Sequence, residues 1–189
     1  GEHWLGWGWV REASQLGEVH LITTPKFRDS VLSAAQATGV TCHFVTPRGP
    51  EGWLRKLKWQ RDVYRLASDL HRQSRFDLVH QTTFHTFRIP FRCAALGIPS
   101  VWGPIAGGES VPANFYGVLG SSEWNERARS FLNRLCLWAP GIRRSLLQSS
   151  RIFVSNRTTL AFLPPWVHPK CRVVSPNAAN SVGDSASPK

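Results

Sequence analysis

Short apolar runs alternate along the chain with longer stretches whose apolar residues recur three and four positions apart. The short runs 18–24 (EVHLITT), 40–46 (VTCHFVT), 76–82 (FDLVHQT), 98–108 (IPSVWGPIAGG), 151–155 (RIFVS) and 171–179 (CRVVSPNAA) read as β-strands. Between them, helical spacing predicts helices over 3–16, 28–38, 53–73, 86–96 and 157–163, and a helical stretch over 111–149 broken near Pro140-Gly141. Gly17, Gly39 and Gly97 stand where helices would stop, and Pro164-Pro165 ends the helix at 157–163. Strand-helix alternation of this kind predicts an α/β domain: a Rossmann-like parallel sheet with helices on both faces. Residues 180–189 are small and polar and read as a flexible tail or the start of a linker.

The clearest helix is 53–73. Trp53, Leu57, Trp59, Val63, Tyr64, Leu66, Ala67 and Leu70 share one broad arc, and Arg55, Lys58, Arg61, Asp62, Arg65 and Asp69 share the other. Lys56 and Gln60 intrude on the apolar side. Such a helix is suited to cover a sheet. Its tryptophans and basic rim are also suited to lie on anionic lipid, with Trp53, Lys56, Lys58, Trp59, Arg61 and Arg65 facing the membrane.

Composition narrows the class. The 189 residues are 42% hydrophobic, enough for a packed core, and no run nears the roughly 20 apolar residues of a spanning helix. Twenty-three Lys and Arg against twelve Asp and Glu give a net charge of +11, which calls for an anionic partner or marks a solvated basic surface. No nucleic-acid-binding motif accompanies that charge, so nucleic acid is not the expected partner. Cys42, Cys93, Cys136 and Cys171 form no CxxC and read as buried free thiols; no metal is predicted. The chain has no methionine, and residues 1–16 do not read as a signal peptide, so the expectation is a piece cut from a longer chain.

In parallel α/β sheets, ligands bind beyond the carboxyl ends of the strands. Two such ends carry chemistry. The first is His80-Gln81-Thr82-Thr83-Phe84-His85, an imidazole, an amide and hydroxyls suited to a polyol. The second is Gly103-Pro104-Ile105-Ala106-Gly107-Gly108-Glu109, where paired glycines let backbone N–H groups approach a sugar or an anion and Glu109 falls near a helix start. Gly6-Trp7-Gly8-Trp9-Val10-Arg11 is not GxGxxG, and no P-loop, HExxH or GxSxG occurs.

These pieces together resemble the N-terminal domain of family-4 glycosyltransferases, which have the GT-B fold. The segments carrying the likeness are GEHWLGWGWVRE with GEVHLIT, then FDLVHQTTFHTFRIPFRCAALGIPSVWGPIAGGES, RIFVSNRTT and KCRVVSPNAA. The resemblance spans residues 1 to about 179 and implies one half of a GT-B fold without its first strand. It implies acceptor contacts at His80, Thr82, Thr83, Gly107, Gly108 and Glu109, with Gly1 and Glu2 as the stub of the loop facing the donor diphosphate. Many relatives carry a second histidine where Thr82 stands, which leaves His80 alone as a catalytic candidate. The implied reaction is sugar transfer with retention, from a nucleotide-sugar co-substrate held by a second domain to a saccharide or lipid-linked acceptor. No other cofactor is implied. The expected location is the cytoplasm, with peripheral contact at the inner face of the membrane.

Two other classes remain open from the residues. One is a non-catalytic basic module that binds anionic membrane or nucleic acid. The other is a Rossmann-type enzyme such as a sugar-nucleotide epimerase, against which the absence of GxGxxG counts.

Overall fold

A computed structural model describes residues 2–109, 111, 120 and 122–174, with the backbone alone for residues 2–5. Helix α1 (Glu2–Ser14) leads to strand β1 (His20–Thr23). Helix α2 (Arg28–Gln36), strand β2 (Thr41–Phe44), helix α3 (Trp53–Ser74) and strand β3 (Val79–Gln81) follow. Then come β4 (Ser100–Ile105), α4 (Ser122–Trp138), α5 (Pro140–Gln148), β5 (Arg151–Val154), α6 (Arg157–Phe162) and β6 (Cys171–Val173). Short 3-10 turns occupy Pro25–Phe27, Arg92–Leu96 and Pro165–Lys170.

All strand pairs are parallel, but they form two sheets, β1-β2 and β3-β4-β5-β6. Side chains join the smaller sheet to the larger one. Phe76, just ahead of β3, meets the His20 ring at 5.0 Å, and Ile22 of β1 packs on the core of the larger sheet. Helix α1 bridges the two sheets on one side: Trp7 and Val10 join Ala35, Val40 and Leu21 in a small cluster, while Trp9 stacks on Phe153 of β5. On the other side α3 seats Trp59, Val63 and Ala67 against the main core with Trp102, Ile105, Ile142, Leu146, Ile152 and Val154. Helices therefore cover both faces, and in such α/β sheets ligands bind beyond the carboxyl ends of the strands.

Several sequence expectations shift. The span 86–96 is helical only as the 3-10 turn at 92–96; Ile89-Pro90 disfavours the α region for the residue before proline. Gln60, a polar residue on the apolar arc of α3, is buried with its amide Nε2 donating to Gln81 Oε1 at 2.8 Å. Trp59 is 6% exposed and donates its indole N–H to the Val45 carbonyl at 2.8 Å, so it belongs to the core and not to an outward membrane face. Lys58, Arg61 and Arg65 are exposed as expected, Lys56 lies over the Phe84 ring at 5.8 Å, and Trp53 is 56% exposed. The four cysteines are free thiols, and burial pushes Cys93 up to about 12. Gly1, residues 175–179 and the tail at 180–189 lie outside the described residues, as does the side chain of Glu2.

Candidate functional site

The two predicted strand ends lie side by side, because Ala106 N–H donates to the His85 carbonyl at 3.2 Å and Phe87 N–H to the Ala106 carbonyl at 3.4 Å. Together they make a rim at the carboxyl edge of β3 and β4. Thr83 is exposed and Thr82 partly so; Gly6 of α1 approaches both closely enough that a Cβ there would sit 3.5 Å from Thr83 Cγ2 and 3.8 Å from Thr82 Oγ1.

His80 does not point into open space. Its Nε2 donates to the Gly103 carbonyl at 2.8 Å, and its ring meets Trp9 edge-on at 5.3 Å and Phe153 at 6.0 Å. Burial lowers its pKa, and the bond to Gly103, which favours the protonated form, does not restore it. His80 is thus a neutral imidazole that ties β3 to β4 and leaves Nδ1 as an acceptor.

The loop after β4 is built from glycines for want of space. A Cβ on Gly103, at φ 123°, would collide with the Phe153 carbonyl. One on Gly108 would lie 2.7 Å from Phe162 Cβ and 2.8 Å from Thr159 Cα. The loop therefore lies directly on α6. Glu109 fastens it there: Oε2 accepts from Gly107 N–H at 2.9 Å, and Oε1 accepts from Asn156 Nδ2 at 2.6 Å and Thr159 Oγ1 at 3.1 Å. Burial alone would raise the Glu109 pKa, but the bonds from Asn156, its own backbone, Gly107 and Thr159 outweigh it and hold the carboxyl below its usual range. The carboxylate thus serves the first turn of α6, where Asn156 also caps the Thr159 N–H at 2.7 Å.

From the other side α4 grips the same loop. Asn133, 3% exposed, donates to the Gly107 carbonyl at 3.0 Å and accepts from Arg88 Nε at 2.7 Å. Arg129 donates to the Glu109 carbonyl at 2.9 Å while paired with Glu126, whose other contact is the Val111 N–H at 3.1 Å. The hydrogen bond from Arg129 leads in pushing the Glu126 carboxyl down to about 2. Sequence reading missed Arg88, Arg129, Asn133, Asn156 and Thr159. Only Asn156 left a signal, as a capping residue ahead of the helix at 157–163.

Among the described residues, no group of three His, Cys, Asp or Glu is placed to hold a metal ion, and no helix is long and apolar enough to cross a membrane. An open depression of about 450 Å³ lies away from the rim, against Gly97, Pro99 and Gln148, and carries no titratable side chain.

The parallel strands and the helices on both faces settle the class. The fold is Rossmann-like α/β. No family model and no curated protein matches the sequence. The solved structure of the glycotransferase of kitacinnamycin is similar at a TM-score of 0.38 and 15% identity, over 77% of this chain and 40% of that one. This chain thus spans less than half the length of that neighbour.

Proposed function

We propose that residues 1–179 form the acceptor-binding half of a retaining family-4 glycosyltransferase. The observation that carries this reading is the rim itself. Thr82 and Thr83 lie on the segment after β3 that pairs, at His85, with Ala106 of a glycine loop fastened from behind by α4 and α6. Such a rim suits a saccharide or lipid-linked acceptor, whose hydroxyls exchange hydrogen bonds with side-chain hydroxyls and backbone amides. Gly107, Gly108 and Glu109 shape the loop, and His80 positions β3 against β4. Gly1 and Glu2 belong to the segment that would face the diphosphate of a nucleotide sugar bound by a second domain. Catalysis then rests on positioning the acceptor hydroxyl and stabilising the leaving diphosphate between domains.

The test is a transfer assay with UDP- and GDP-sugars on the protein that carries a donor domain after residue 189, and on the 189 residues alone. The reading expects transfer with retention from the former and none from the latter. Thr82→Val and Thr83→Val should raise the acceptor KM more than they lower kcat. Turnover by the isolated chain, or a following sequence without a nucleotide-sugar domain, would sink the idea. In that case a non-catalytic basic module is the better description.

A further inference from the structure

Helix α4 is amphipathic in the opposite sense to a core-covering helix. Its inward face carries Glu126, Arg129 and Asn133, which bond to the backbone of Val111, Glu109 and Gly107 as described. Its outward face carries Trp124, Phe131, Leu135 and Trp138, exposed by 77%, 66%, 56% and 76%. At 3.6 residues per turn these four fall within about 60° of arc and run the length of the helix. Leu132, 56% exposed, widens the stripe. Among the described residues nothing covers it. The loop explains the inversion, since its carbonyls and N–H groups require polar partners from α4. It does not explain four large apolar side chains left in water, where the physical chemistry of a monomer surface favours polar residues.

We propose that this face of α4 docks on an anionic lipid bilayer, lying in the interfacial plane. The stripe is straight and has a tryptophan near each end, as an interfacial helix requires. Its border is basic: Arg134 is exposed beside it, and Arg143 and Arg144 are exposed on the adjoining α5. Across 122–148 five arginines stand against two glutamates, within a chain of net charge +11. That charge complements anionic headgroups and opposes close approach of a second copy. The docked helix would hold loop 106–109 about one helix diameter, roughly 10 Å, from the lipid. Membrane contact is thereby assigned to α4 and not to α3, whose Trp59 is in the core. The inference stands on the two faces of α4, whatever reaction the domain serves.

Flotation of the 189-residue chain with phosphatidylglycerol-rich vesicles, against pure phosphatidylcholine vesicles, tests it. The chain should float with the anionic vesicles, and Phe131→Glu with Leu135→Glu should cut the bound fraction about tenfold or more. Arg61→Glu with Arg65→Glu on α3 should cut it far less. Circular dichroism checks the fold of each variant; if the double variant fails to fold, Trp124→Ala with Trp138→Ala serves, since both rings are mostly in solvent. Undiminished binding by folded stripe variants overturns the proposal, as does absence of binding to the anionic vesicles. So does a dimer, seen by sedimentation, that the stripe variants convert to monomer.

Discussion

Glu109 and Asn156 meet at 2.6 Å, carboxylate to amide, and this bond, with that from Thr159, joins the loop after β4 to the start of α6 across 47 residues of chain. A partner set of two side chains and a backbone N–H makes the ionised carboxylate the form the fold prefers. Its folded pKa lies below the unfolded value of about 4.3. The stabilisation is therefore complete above that value and is lost as pH falls through the folded pKa. Urea midpoints measured from about pH 6 down to pH 3 should fall, and Glu109→Gln should flatten that slope. Gln retains one acceptor oxygen but sets an NH₂ against the Gly107 N–H, so the variant should also lose about 1–3 kcal/mol at neutral pH. An unchanged slope in Glu109→Gln would remove Glu109 from the role given to it.

His80 shifts stability with pH in the same direction, for a different reason. Burial favours the neutral ring, so its folded pKa sits below the unfolded value of about 6.5. Between the two values the unfolded chain holds more protons, and stability rises with pH. An NMR titration should place the His80 midpoint below that of an ordinary histidine, with the proton on Nε2 in the neutral form. A midpoint above about 6.5 would contradict the burial of the ring, and an Nδ1–H tautomer would contradict the bond to Gly103.

Periodicity made α3 legible almost to the residue, expected at 53–73 and found at 53–74, because a helix that covers a sheet must repeat its apolar positions. The strand ends were legible for the same reason, and so were the two segments that form the rim. What periodicity could not tell was direction. The apolar arc of α3 faces in, so Trp59 is core; the apolar arc of α4 faces out, because Gly107, Glu109 and Val111 demand its polar side. The partners of the loop, Asn133 and Arg129, are contacts distant in sequence, and nothing in their own neighbourhood marks them.

Two glycines should answer oppositely to alanine. At Gly108 a methyl would press on Phe162 Cβ at 2.7 Å and on the α6 backbone at 2.8 Å. Gly108→Ala should cost about 1–3 kcal/mol, because neither the helix backbone nor a Cβ can swing aside. Gly8 lies inside α1 with nothing within 4 Å of its added Cβ. Gly8→Ala should stabilise by about 0.5–1 kcal/mol by narrowing the unfolded ensemble and favouring helix. Thermal melts of the two variants beside the parent decide this, and a Gly108→Ala as stable as the parent would mean the loop does not lie on α6.

Trp59 separates a core helix from a surface one. It is 6% exposed, holds the Val45 carbonyl at 2.8 Å and meets Phe84 edge-on at 5.5 Å, so it pins both the end of β2 and the turn after β3. Trp59→Ala should cost about 3–5 kcal/mol through lost burial and the cavity left behind. Trp59→Phe keeps most of the ring volume but orphans a carbonyl, and about 1–2 kcal/mol is expected. Arg61→Glu, two positions on and exposed, should stay within about 0.5 kcal/mol. Urea unfolding of the three variants gives the ranking. If Trp59→Ala moved the midpoint no more than Arg61→Glu, Trp59 would have to be at the surface, and α3 rather than α4 would again be the helix to test against lipid.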